Sequence, residues 1–382
     1  MSLAAIFEEI IVSVTLEWPW FITGLIMERV LRLRSGGMMI VRKVPYQAVG
    51  LLGIIEGLYD YFKGGQISDR AWQRLLRAHV GSNGRFTEWM RSLVAMIRPK
   101  KALRTVTGLL GTFSPSDLEK IVDILQRDGF YMFDVLMPPD VCDELQRYAE
   151  RTPAWPSGDP RKASRAVVYD AENPVGPVYK FREPDTIHCP AMQKLISDDV
   201  FIAISEAYIG AEPAIGGIDM WWSARYGNAP SSDAAQLFHF DFAALPSWLK
   251  LFVYLTDVGP DDGPHVFVKG THQPGLTSAA ALRARGYQRI DDSDVEVAFG
   301  KEAVLSVTGL RGTVFFADTR AFHKGTVPTA HHRLVAQLIY CAPFFNDHIL
   351  PAEIPNVIIP ELRAALRERP RVYERFTRGR YT

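Results

Sequence analysis

Downstream of position 214 the chain breaks into short apolar runs parted by turn signals, and no long helical stretch intervenes between them. Runs rich in β-branched and aromatic residues occupy 218–225, 237–242, 249–257, 265–269, 303–307, 313–317 and 333–340. Tyr226-Gly-Asn, Gly259-Pro-Asp-Asp-Gly-Pro264, Gly309 and Gly312 supply the turn chemistry between them. Seven or eight short strands in succession imply sheets closed on one another, a barrel or jelly roll. The expected fold is therefore mainly β with flanking helices.

The chain has 382 residues, more than one compact core usually needs, so a sizeable domain plus an appendage is expected. Between Tyr46 and Ile97 apolar residues recur at helical spacing, as in Val49, Leu52, Ile55, Leu58 and Tyr59. The basic stretch Arg98-Pro-Lys-Lys101 ends this material, which divides the chain into an N-terminal helical region, 1–112, and a main domain, 113–382. Ser114-Pro-Ser-Asp117 opens the main domain as a helix start: a serine cap, a proline at the first helical position and an acid facing the helix dipole. That helix runs to about Arg127 and stops at Gly129; a strand over 130–136 and a second helix from Pro139 follow. Residues 152–185 are rich in Pro, Gly, Arg and Asp without periodicity and read as loop. The arginines of the tail, Arg363, Arg367, Arg371 and Arg375, read as a solvated helical face or a subunit contact.

A formal net charge of +0 gives no electrostatic case for nucleic acid or anionic membrane. Cys142, Cys189 and Cys341 form neither a disulfide framework nor a metal knuckle, which fits a reducing cytoplasm. Residues 10–27 are apolar, yet Glu17 and Pro19 interrupt them and Glu8 and Glu9 replace the basic flank of a signal peptide. A buried helical hairpin broken at Pro19 is favoured over a peripheral membrane contact through Trp18, Trp20 and Phe21.

The chemistry gathers at His239-Phe-Asp241, His323 and Arg333. If 237–242 is a strand, His239 and Asp241 project from one face and Phe240 from the other. His323, from a distant strand, completes two imidazoles and one carboxylate on one face of an ion, the arrangement of non-haem Fe(II) sites with positions left open. Arg333 heads an apolar strand, where a guanidinium is costly to bury without an anion. Its planar fork suits a carboxylate gripped through two parallel hydrogen bonds, so the far carboxylate of 2-oxoglutarate is the expected partner.

The runs Gln236-Leu-Phe-His-Phe-Asp241, Leu249-Lys-Leu-Phe-Val-Tyr-Leu-Thr-Asp-Val258, Asp262-Gly-Pro-His265 and Lys269-Gly-Thr-His272, completed by His323 and Arg333, resemble the phytanoyl-CoA dioxygenase family of Fe(II)/2-oxoglutarate oxygenases. Asp128-Gly-Phe-Tyr-Met-Phe-Asp-Val-Leu-Met-Pro138 is similar to that family's entry segment, so the resemblance spans about 114–345. It implies a double-stranded β-helix with a jelly-roll or cupin-like core, iron held by His239, Asp241 and His323, and 2-oxoglutarate anchored by Arg333. It also implies O2-dependent conversion of the keto acid to succinate and CO2, with hydroxylation of a small or lipid-like substrate. Related halogenases lack the carboxylate that Asp241 supplies here. The chain departs from the family pattern at Thr271, where serine is usual, and at Gly325, where serine is frequent.

Three more residues are candidates for the co-substrate pocket. Lys250 could reach a carboxylate of co-substrate or substrate, or lie at the barrel rim. Gln236 and Trp222 flank the metal-bearing segment in sequence, although amide and indole are also ordinary barrel contents. His265, His272, His331 and His332 read as structural or turn histidines, and Tyr179, Lys180 and Arg182 could meet an anionic substrate. Two other readings stay open: a jelly-roll binding protein without turnover, and a metal-dependent isomerase or lyase that works without O2.

Overall fold

The structure, a computed structural model, describes residues 45–157, 165–227, 229–230, 234–241, 245–283, 290–345 and 351–377. The apolar stretch 10–27, with its expected hairpin or membrane contact, lies outside the described residues. Among those described, no helix is long and apolar enough to cross a membrane.

The strands are β1 (Val106–Gly108), β2 (Gly111–Phe113), β3 (Phe130–Met132), β4 (Trp155–Ser157), β5 (Val178–Lys180), β6 (Ala214–Ser223), β7 (Trp248–Tyr254), β8 (His265–Val268), β9 (Val304–Val307), β10 (Val314–Ala317), β11 (His323–Gly325) and β12 (Arg333–Cys341). A seven-stranded sheet runs β3-β10-β7-β12-β6-β5-β4, a three-stranded sheet runs β11-β8-β9, and β1 and β2 form a separate hairpin. All pairings are antiparallel.

Phe267 of the small sheet meets Phe252 and Phe315 of the large one, so the two sheets face each other across an aromatic core. This is the expected double-stranded β-helix.

Alternation along the central strands explains why the sheet sits as it does. On β7, Leu249, Leu251 and Val253 join the large core that includes the helices Pro115–Asp128 and Asp199–Ile209, while Phe252 and Tyr254 point between the sheets. On β12, Leu334, Ala336, Leu338 and Tyr340 pack outward and Val335 inward. Each fully buried aliphatic or aromatic side chain contributes about 1.5–3 kcal/mol. A one-residue slip would drive Lys250 and Arg333 into that apolar layer, so burial on both faces fixes the register.

Local signals set the flanking elements. Ser114 and Asp117 form a capping box: the Ser114 hydroxyl accepts from Asp117 N at 3.3 Å and the Asp117 carboxylate accepts from Ser114 N at 3.0 Å. Gly129 ends this helix at φ 73°, a conformation that glycine adopts without steric cost.

Two expectations are corrected. The region 152–185 is not all loop, because β4 and β5 extend the large sheet at its edge. The tail is not simply a solvated basic face: Arg375 is buried and both of its terminal nitrogens bind Glu183 at 2.8 Å, while Arg371 lies 3.6 Å from Glu212.

The helices Tyr46–Gly64, Asp69–Gly81 and Arg85–Ile97 share the large core through Leu58, Leu75 and Phe86. Gly50 permits the close approach of the first of these, since a Cβ there would lie 2.3 Å from the Phe86 ring.

Candidate active site

His239 and His323 are joined by reciprocal main-chain hydrogen bonds, His239 N to His323 O at 2.9 Å and His323 N to His239 O at 2.8 Å. Of the expected strand over 237–242, the described residues 237–241 form a bridge at His239 and another from Phe238 to Ile290. Its alternation survives. Phe238 and Phe240 enter the apolar cluster behind the small sheet, and His239 and Asp241 line the cavity between the sheets. Asp241 is tied down by its own N–H, which donates to Thr319 O at 2.9 Å.

Nitrogen and oxygen atoms of His239, Asp241 and His323 lie within 4.8 Å of one another, close enough for side-chain rotation to bring all three onto one ion. His239 Nδ1 lies 2.9 Å from Leu237 O, and His323 Nδ1 lies 2.9 Å from Ala321 O. A carbonyl can only accept, so each Nδ1 carries the proton and each Nε2 keeps its lone pair for a metal. Phe267 stacks on His323 with ring centroids 5.7 Å apart and fixes the imidazole plane.

Lys250 of β7 points into the same cavity and donates to Asp241 Oδ2 at 2.7 Å. Burial alone would push the Asp241 carboxyl up, but the Lys250 ammonium outweighs burial and holds it well below the usual carboxylate range. Two neutral imidazoles and one ionised carboxylate, with Nε2 atoms turned inward, fit ferrous iron.

Arg333 lines the same cavity and is only 3% exposed. It donates to Gly263 O and, through Nη2, to Ser223 Oγ at 3.2 Å, while its Nε has no hydrogen-bond partner. Among the described residues no carboxylate pairs with it. Burial therefore lowers its pKa, against the opposing influence of Tyr254. A Cβ at position 325 would sit 3.5 Å from Arg333 Nη2, so Gly325 leaves room beside the guanidinium where serine is frequent in the family, and Ser223 brings a hydroxyl to the guanidinium instead.

The cavity, of about 540 Å³, is also lined by Lys180, Asp219, Trp221 and Gln337. Gln337 Nε2 donates to Asp219 Oδ2 at 2.9 Å.

Trp222 does not line the cavity and is corrected here: it faces the outer core and stacks on Tyr169 at 4.9 Å, and its neighbour Trp221 takes the inward position. The register explains this, because Trp221 pairs with inward-facing Val335 and Trp222 with outward-facing Leu334. Gln236 is buried beside the metal-bearing segment but is not among the cavity-lining residues. Of the three residues suspected of meeting an anion, Lys180 lines the cavity, Arg182 is bound to Asp185 at 2.8 Å, and Tyr179 packs in the outer core.

Asp219 and Gln337 escaped sequence reasoning. Position 337 lies two pleats beyond Arg333 on the same face, and that spacing was the available signal.

Among the remaining histidines, His265 lines the cavity near Arg333 with Nδ1 3.2 Å from the Tyr254 hydroxyl, and burial holds its pKa well below the ordinary value. His272 Nε2 meets Gln126 O at 3.1 Å, His331 Nδ1 meets Asp262 Oδ1 at 2.9 Å, and His332 packs edge-on to Trp222. None of the four joins the His-Asp-His group.

A double-stranded β-helix that converges two imidazoles, a carboxylate and a buried guanidinium without a carboxylate partner among the described residues on one cavity defines a mononuclear metal enzyme. The chain belongs to the phytanoyl-CoA dioxygenase (PhyH) family, whose pattern matches residues 125–333, more than half of the chain. With its His-Asp-His group it is an iron- and 2-oxoglutarate-dependent enzyme.

No curated protein matches the chain. Among solved structures, the non-heme alpha ketoglutarate dependent epimerase SnoN from nogalamycin biosynthesis is 18% identical with a TM-score of 0.43, over 60% of this chain and 84% of that one. AviO1 from Streptomyces viridochromogenes is 19% identical with a TM-score of 0.39, over 59% and 95%. EctD from S. alaskensis with bound Fe is 18% identical with a TM-score of 0.40, over 64% and 87%.

Proposed function

We propose that the chain hydroxylates a C–H bond of a small or lipid-like organic substrate. The balance is substrate R–H, O2 and 2-oxoglutarate giving R–OH, succinate and CO2. One observation carries this reading: the metal-ligating group and the buried Arg333, which pairs with no carboxylate among the described residues, line a single cavity. Residues 113–382 form the catalytic unit in this reading, with 1–112 as a helical region beside it.

Each side chain has a definable task. His239, Asp241 and His323 would hold Fe(II), which when bound supplies the O2-dependent oxidation. Arg333 grips the far carboxylate of 2-oxoglutarate, and Ser223 orients the guanidinium for it. Phe252 and Trp221 wall the cavity with aromatic surface and keep water from the reacting centre. Lys250, 2.7 Å from Asp241, can turn to an anionic group of co-substrate or substrate once Asp241 is engaged by the metal. The Asp241 carboxylate, which related halogenases lack, would serve as a metal ligand, which favours hydroxylation or desaturation.

The test is succinate formation from 2-oxoglutarate with Fe(II) and O2 across a substrate panel that includes acyl chains and polar small molecules. Wild type should release succinate and His323→Ala should not. Failure of the wild-type protein both to bind Fe(II) and to form succinate would overturn the proposal, and product formed without O2 would assign the site to an isomerase or lyase.

A further inference from the structure

Three polar side chains in the cavity take no part in holding iron or 2-oxoglutarate. Asp219 of β6 and Gln337 of β12 are register partners, and Lys180 of β5 pairs with Trp221, two residues beyond Asp219. Gln337 Nε2 donates to Asp219 Oδ2 at 2.9 Å, and Lys180 Nζ lies 3.8 Å from Asp219 Oδ1. A carboxylate only accepts, so the amide turns its NH2 group to Asp219 and keeps its carbonyl free for another donor. Among the described residues no donor lies within hydrogen-bond distance of Gln337 Oε1 or Asp219 Oδ1.

Phe252 occupies the same rung of the sheet as this pair. Its ring lies 6.4 Å from that of Phe267, which stacks on His323. Ring contacts thus link the rung of Asp219 and Gln337 to the metal-ligating group, and a substrate held by the pair shares one cavity with the reacting centre.

We propose that Asp219, Gln337 and Lys180 bind an uncharged, hydroxyl-bearing part of the substrate, which makes the substrate a polyol or glycoside instead of a plain acyl chain. The inference rests on the hydroxylation reading above and names its substrate class.

The balance of donors and acceptors selects that class. A hydroxyl both donates and accepts, so neighbouring hydroxyls can give to Asp219 Oδ1 and Gln337 Oε1 and take from Lys180 Nζ. A carboxylate would take from Lys180 but meet Asp219 as a like charge, and an ammonium would satisfy Asp219 but stand beside the Lys180 ammonium. An acyl chain makes no hydrogen bond and would strip water from the buried Gln337 amide without replacing it. A site built to bond hydroxyls rejects an analogue that lacks them. Trp221 lies two residues from Asp219 on the same strand face, where its indole offers apolar surface to the C–H face of a hydroxylated ring. The cavity of about 540 Å³ is of the size that holds a small molecule.

The test compares hexyl glucoside, 1-O-hexylglycerol, hexanoate and hexylamine, which share one alkyl tail and differ in head group. Each is titrated calorimetrically into the full chain under argon, with and without Fe(II) and 2-oxoglutarate. At least one of the two hydroxylated probes should bind about tenfold more tightly than the acid and the amine, the worth of one or two hydrogen bonds. Asp219→Ala and Gln337→Ala should each abolish that preference by weakening the hydroxylated probes alone. Lys180→Met changes a side chain that is 58% exposed, so the fold is spared, and it separates the classes: binding of the hydroxylated probes falls, whereas a site for cations would bind hexylamine more tightly.

Equal affinity for the four probes, tighter binding of the acid or the amine, or a preference that survives all three substitutions overturns the proposal. Fe(II) is titrated separately into the same protein. Retained Fe(II) binding with no preference among the probes would overturn this inference alone, and absent Fe(II) binding would overturn the functional reading while leaving a measured preference in place.

Discussion

Lys250 and Asp241, nine residues apart, meet at 2.7 Å inside the cavity, so an ammonium holds the carboxylate that a metal would claim. Ammonium and Fe(II) compete for that charge, and at short range an unfavourable cation–cation contact costs a few kcal/mol even with substantial screening. Lys250→Met should therefore bind Fe(II) about tenfold more tightly in isothermal titration. Unchanged or weaker binding would show that the ammonium serves to orient the carboxylate.

Arg333→Met separates activity from stability. Among the described residues the guanidinium is buried without a carboxylate, and replacing buried charge by a similar apolar volume is often neutral or stabilising by about 1–4 kcal/mol. The variant should melt no lower than wild type while its KM for 2-oxoglutarate rises by about tenfold or more, the loss of a charge-assisted bidentate contact. A lower melting temperature with unchanged KM would make Arg333 a structural residue.

Asp318 and Arg320 supply the pH dependence. Burial pushes the Asp318 carboxyl up, but Arg320 outweighs it and holds the group at about 2. Its unfolded value is near 3.9, so the stabilising contribution is full above that pH and is lost as pH falls through about 2. Asp318→Asn leaves Arg320 unpaired and should cost about 3–5 kcal/mol at neutral pH in urea denaturation. The gap between wild type and variant should narrow from pH 4 to pH 2 as wild-type Asp318 takes up its proton; a constant gap rules out this account.

Phe267 links core to chemistry, since it packs between the sheets and stacks on His323 at 5.7 Å. Phe267→Ala should destabilise the fold by about 3–5 kcal/mol, the usual cost of such a cavity. It should also weaken Fe(II) binding by about tenfold, as loss of support behind a ligand does. Destabilisation with unchanged Fe(II) affinity would show that the main-chain bridge alone places His323.

The sequence made the jelly roll readable because its central strands carry two-residue alternation long enough to recognise. His239 and Asp241 share a cavity face for that reason, with Phe240 turned away. What stayed hidden depends on partners distant along the chain. Adjacent tryptophans at 221 and 222 offer identical chemistry on opposite faces, and only the pairing of Trp221 with Val335 selects one of them. Strands β4 and β5 have three residues each, less than two full periods, so no pattern exposed them within 152–185. Arg375 looks like any tail arginine until Glu183, 192 positions earlier, is brought beside it.

The reciprocal amide bonds between His239 and His323 mean that polypeptide, rather than iron, assembles the coordination sphere. Metal insertion can then follow folding as a separate event, unlike in zinc fingers, where ion and fold arrive together. Exchange of one divalent cation for another becomes a matter of cellular supply, and a chelator should strip the protein without unravelling it.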